Sequence, residues 1–126
     1  MKVKEFKGHV MSNSLNAFNF YKKKTGRSLE GDMLQVAKIK SFQGKIIDDK
    51  MDELTPEELV IFTSIDVVTT LSNIYCALRQ AGDMEMRKLS FEEIIDLDEL
   101  TIDDIQSEEF IDALLYLMGT EEKSKK

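Results

Sequence analysis

Between Leu54 and Gly82 apolar residues recur at helical spacing for longer than any other stretch of the chain. Val60 and Phe62 open the run, and Ile65, Val68, Leu71, Ile74, Tyr75 and Leu78 follow at steps of three or four, with only Ile74 and Tyr75 adjacent. Ile61 and Val67 stand on the opposite side, so the helix is apolar on more than one face. A helix of that kind needs neighbours on several sides, which places it at the centre of a bundle. Its start is marked by Leu54-Thr55-Pro56-Glu57-Glu58-Leu59: Thr55 as cap, Pro56 at the first helical position, Glu58 reaching back, and Leu54 with Leu59 as a staple. Thr63-Ser64 is a candidate break, with Asp66 in the first turn of a second piece.

The same start signal recurs at Leu89-Ser90-Phe91-Glu92-Glu93-Ile94 and predicts a short helix to about Leu97. A turn rich in aspartate follows. Ser107 then caps a last helix that carries Phe110, Ile111, Leu114, Leu115 and Met118 on one side and stops at Gly119. Upstream, a helix begins near Ser12 or Ser14 and runs to about Lys24, with Leu15, Phe18 and Tyr21 on one side. Gly26 is its left-handed terminator, and Lys22, Lys23 and Lys24 complement the dipole in its last turn. A weaker helix over residues 29–43 carries Met33, Leu34, Val36 and Ala37 and ends near Gly44, and residues 45–53 read as a loop. Residues 1–11 alternate loosely and form a short strand or arm, with no clear partner strand. The expectation is an all-α single domain over residues 1–126: four to six helices, an N-terminal arm over 1–11 and a flexible tail over 120–126.

Composition limits the function classes. The chain is acidic, with net charge -7, yet residues 1–50 carry +6 and residues 51–120 carry -14. Surface charge is mostly solvated, but a molecule polarised in this way also favours head-to-tail contact between copies. The single cysteine, Cys76, has no partner for an internal disulfide and suits a reducing compartment. The first residues lack the apolar core of a secretory signal, and no apolar run reaches the roughly 18 residues of a membrane span.

Catalytic constellations are thin. The one imidazole, His9, would need Cys76 beside it to form a dyad, and nothing in the sequence argues for that pairing. Asp96, Asp98, Glu99, Asp103 and Asp104 have the density of a calcium loop but not its pattern, since Thr101 stands where glycine belongs and Ser107 where the bidentate glutamate belongs. The six glycines form no phosphate-binding loop. A DNA-binding helix would spread cations along an exposed side, whereas here they gather at a helix end. A membrane-surface helix would need a long basic face, and only the last turn is basic. No enzyme, cofactor, metal, nucleic acid or membrane is therefore expected.

What remains is a protein that binds other proteins. Three candidate surfaces stand out: the basic region with Phe18, Tyr21, Lys22, Lys23, Lys24 and Arg27; an apolar side of the central helix with Leu71, Tyr75 and Leu78; and the acidic region with Asp96, Asp98, Asp103 and Asp104.

Three segments together resemble the small tail assembly chaperones of long-tailed bacteriophages that infect Gram-positive hosts. They are the turn Tyr21-Lys22-Lys23-Lys24-Thr25-Gly26-Arg27-Ser28-Leu29, the segment Ile74-Tyr75-Cys76-Ala77-Leu78-Arg79 and the capped helix Leu89-Ser90-Phe91-Glu92-Glu93-Ile94-Ile95. Their order covers about residues 14–118, while the segment from Lys38 to Asp52 matches nothing in the family's pattern. The resemblance implies an all-helical holdase without catalysis. It would bind the tape measure protein in the host cytoplasm, self-associate into rings or helical arrays, and be absent from the finished virion. It also implies a longer frameshifted form, with which the lysine-rich tail is compatible. The competing class is a small acidic phage-encoded inhibitor or regulator that binds a host protein through its acidic half. A DNA-binding regulator is a third reading.

Overall fold

The computed structural model describes residues 2–41, 56 and 67–119. The Thr55 cap and its staple, the Thr63-Ser64 break, the 45–53 loop, the Gly44 stop and the tail over 120–126 lie outside the described residues.

The chain is largely helical but not all-α. It begins with an antiparallel hairpin of β1 (Val3–Phe6) and β2 (His9–Ser12), in which Val3 pairs with Ser12, Lys4 with Met11, Glu5 with Val10 and Phe6 with His9. The expected arm is thus a strand whose partner is the next four residues. Lys7 (φ 55°) and Gly8 (φ 79°) make the two-residue connection, both left-handed. That is the turn whose twist matches two antiparallel strands. Phe6 and Met11 turn inward, at 2% and 0% exposure, and give the hairpin its hold on the helices.

Five of the six described helices follow the sequence reading. Helix α1 (Leu15–Thr25) has Ser14 at its N-cap and Gly26 (φ 75°) as its left-handed stop. Its buried stripe is Ala17 and Tyr21, not Leu15, Phe18 and Tyr21: Leu15 is 72% exposed and Phe18 half-buried. Two steps of three residues carry Leu15 about 120° around the helix from Tyr21, too far for one narrow stripe. Helix α2 (Leu29–Ser41) buries Met33 and Val36, and α3 (Val67–Gly82) is the central element. It packs against β2, α1 and α2 and against the elements that follow it, down to the Tyr75–Phe110 ring contact with the last helix, and from Ile74 to Leu78 no side chain is exposed. A 3₁₀ turn (Met84–Lys88) leads to α4 (Phe91–Leu97), where Ser90 Oγ accepts from the Glu93 amide and Glu93 accepts from the Ser90 amide. The expected aspartate turn contains a further element, α5 (Ile102–Ile105), started by a second reciprocal cap between Thr101 and Asp104. Helix α6 (Glu108–Met118) starts at Ser107 and stops at Gly119 (φ 83°).

Gly82 ends α3 where the hairpin crosses it. A β-carbon there would lie 2.6 Å from the Val10 carbonyl oxygen, so only glycine lets the two backbones meet. Among the described residues no helix is long and apolar enough to cross a membrane, and no cluster of histidine, cysteine and carboxylates is placed to hold a metal ion.

Candidate partner-binding groove

Two tyrosine–aspartate–arginine clusters tie the elements together, and the first lies between the two helices that border the groove. In the first, Tyr21 donates its hydroxyl to Asp32 at 2.5 Å, and Arg27 reaches the same carboxylate from Nε (2.9 Å) and Nη2 (2.8 Å). Burial by itself would raise the Asp32 pKa. The hydrogen bonds from Arg27 and Tyr21, with the guanidinium charge, more than offset that and hold it below the ordinary carboxylate range. Burial and the same acid push the Tyr21 hydroxyl up, so it stays a donor. This cluster sets α2 against α1 across a link of only Gly26, Arg27 and Ser28.

In the second, Tyr75 donates to Asp98 at 2.5 Å and Arg79 Nε donates at 2.6 Å, while Arg79 Nη1 reaches the Val10 carbonyl at 3.1 Å. His9 Nδ1 stands 3.7 Å from the same carboxylate. One buried acid thereby joins α3, the end of α4 and the hairpin. Asp98 too is held low: burial opposes ionisation, but the bonds from Arg79 and Tyr75 and the nearby positive charge prevail.

The groove opens between α1 and α2 and is closed at one end by the last turn of α6. It has two lobes. One, of about 240 Å³, is lined by Asn13, Phe18, Glu30, Met33, Leu34, Leu117 and Met118. The other, of about 360 Å³, is lined by Phe18, Asn19, Lys22, Ser28, Leu29 and Glu30. Phe18 and Glu30 border both, so the order along the groove is Lys22, then Phe18 and Glu30, then Leu34 and Met118. Leu34 is 49% exposed. Asn13 fixes the closed end by donating Nδ2 to the Leu117 carbonyl at 2.7 Å and accepting from the Lys2 amide.

The residues singled out from the sequence scatter over several environments. Phe18 and Lys22 meet in the groove, and Lys23 is exposed nearby on α1. Tyr21 is core, with its hydroxyl spent on Asp32. Lys24 pairs with Glu92 at 3.2 Å, and Arg27 pairs with Asp32. Leu71, Tyr75 and Leu78 are 2%, 0% and 0% exposed, so they are interior and not a docking side: the bundle covers the central helix there on every side. Asp98 is likewise interior, because its carboxylate neutralises buried Arg79. Asp104 accepts from Lys7 at 2.6 Å and from the Thr101 amide. Asp96 and Asp103 remain exposed. Cys76 donates to the Phe91 carbonyl at 3.4 Å, and burial pushes its thiol up to about 12, so it is not a thiolate nucleophile.

Leu34 and Met118 were not expected to reach the surface; they stand over a buried floor of Met33 and Leu117, at 4% and 2% exposure. The available signal was α2 itself, whose apolar residues at 33, 34, 36 and 37 are more than one face can bury. Compared with protein-family models, with curated proteins and with solved structures, the chain matches none.

Proposed function

We propose that this protein is a tail assembly chaperone, a holdase that keeps the helical tape measure protein in solution until a phage tail tube forms around it. The observation that carries the reading is the groove between α1 and α2. Phe18, Leu34 and Met118 border it above a buried floor of Met33 and Leu117, an apolar surface of the kind that takes the apolar stripe of a partner helix. Met118, half-buried at the rim, has a flexible thioether that adapts to differing side chains, as a long and varied client requires. Many copies on one client act by avidity, so each contact can be weak. The resemblance in sequence supports the same reading and adds the host cytoplasm, absence from the virion and a longer frameshifted form.

Self-association is part of the proposal, in reduced form. Contact between the basic end of one copy and the acidic region of the next draws on Lys22, Lys23, Asp96 and Asp103. Lys24, Arg27, Asp98 and Asp104 already have partners within the chain.

Co-expression with tape measure fragments tests the function. The wild-type protein is expected to keep the fragment soluble and to co-purify with it, and Leu34→Glu to lose both while keeping its helical circular dichroism. A Leu34→Glu protein that retains the fragment as well as wild type defeats the groove reading. A second reading is an inhibitor that binds a basic host surface through Glu93, Asp96, Asp103, Glu108 and Glu109, all exposed on α4 to α6. It predicts that charge reversal there, and not at Leu34, removes binding.

A further inference from the structure

We infer that the groove reads register, selecting an amphipathic helix whose apolar stripe ends in a carboxylate one turn beyond its last apolar residue. This rests on the groove being the client site and names the chemistry of what it takes. Three observations carry it. First, the cations around the α1–α2 link are unequal: Lys24 is paired with Glu92 and Arg27 with Asp32, whereas Lys22, exposed in the groove wall, makes no ion pair among the described residues. Second, Glu30 stands further along the same groove, bordering both lobes, and is also without an ion pair among the described residues. Third, beyond Glu30 the lining turns to Met33, Leu34, Leu117 and Met118.

A helix lying in the groove therefore passes a cation, then an anion beside an aromatic ring, then an apolar end. Phe18 to Lys22 is one turn of α1 and Glu30 to Leu34 one turn of α2, so these stations are spaced at about one helical turn, roughly 6 Å. Apolar residues of the partner fill the Leu34 and Phe18 stations, and its carboxylate meets Lys22. A carboxylate one turn earlier faces Glu30 and is repelled. The partner lies with its C-terminal end at Lys22, where its own dipole adds to the attraction.

The probe is a 15-residue alanine–glutamine helix with leucines at i, i+3 and i+4 and glutamate at i+8, titrated at low salt against the full chain. A second peptide exchanges the residues at i+4 and i+8, and a third carries lysine at i+8. The first peptide is expected to bind tightest. Lys22→Glu should weaken it about fivefold and improve the third, the size of a partly exposed ion pair, with the difference fading as salt rises. Equal binding of the three peptides, or a Lys22→Glu protein with unchanged preference, overturns the register. If a tape measure fragment is still retained in that case, the chaperone reading stands alone. If Leu34→Glu leaves the fragment and all peptides unaffected, the groove falls with it.

Discussion

Arg79 Nε lies 2.6 Å from Asp98 Oδ2 with both side chains almost wholly buried, and the pair carries the β-hairpin on its outer side. Arg79 donates onward to the Val10 carbonyl, and His9 approaches the same acid. Removing Asp98 would leave a buried guanidinium unneutralised. Asp98→Ala is expected to cost about 3–5 kcal/mol in urea unfolding followed by circular dichroism. Tyr75→Phe, which removes one donor to the same carboxylate, should cost about 1.5–3 kcal/mol. If Asp98→Ala costs no more than a surface substitution, the pair is not the anchor described.

Stability should fall in acid, and these two aspartates set the sign. Asp32 and Asp98 both have folded-state pKa values below the ordinary carboxylate value of about 3.9. Their contribution is complete above that unfolded value and is lost as pH falls through the depressed folded values. The urea midpoint is therefore expected to decline below about pH 4. Asp32→Asn, measured over the same range, should show a shallower decline, and an unchanged slope would exclude Asp32 as a source.

Gly82→Ala tests the crossing of the hairpin over α3. The new methyl group would sit 2.6 Å from the Val10 oxygen and 3.0 Å from Met11 backbone atoms, none of which is a flexible side-chain end. The expected cost is about 1–3 kcal/mol, as for overpacking. Hydrogen exchange should quicken in residues 9–12 more than in α6.

Among the described residues Glu99 and Lys7 are the two non-glycines with left-handed backbones, and the Lys7 ammonium points at the Glu99 carbonyl, 3.4 Å away. Glu99→Gly relieves a strain of about 1–2 kcal/mol and adds unfolded-chain entropy, for a net gain of up to about 1 kcal/mol. Thermal unfolding should show a raised midpoint. Lys7→Gly should gain less, because it also removes the bond to Asp104.

Leu34→Glu separates binding from folding. The side chain is half in solvent at the groove, so its replacement should shift stability by no more than about 0.5 kcal/mol. Client retention, measured by co-purification, should be lost.

Much of the helical frame was legible because its signals are local. Ser90 with Glu93, Ser107, Gly26 and Gly119 each satisfy backbone groups within four residues, so their chemistry can be read without knowing the fold. The small cap of α5 is of the same kind, yet its four residues hid among the aspartates. The hairpin was less legible, since Lys7-Gly8 lacks the usual asparagine or aspartate and each strand is only four residues long.

Chain order and side-chain type alone determined that the protein is mainly helical, with an interior helix reaching Gly82 and sharp stops at Gly26 and Gly119. Only the tertiary structure decided which charges and rings are left for other molecules. Lys22 and Lys24 are alike in sequence, but one faces a groove and the other a glutamate 68 residues away. Tyr75 and Leu78 look like a docking stripe until the helices around them close. The physical reason is that caps act over one turn of backbone, whereas burial and ion pairing depend on which distant surfaces meet, and residue spacing carries no record of that.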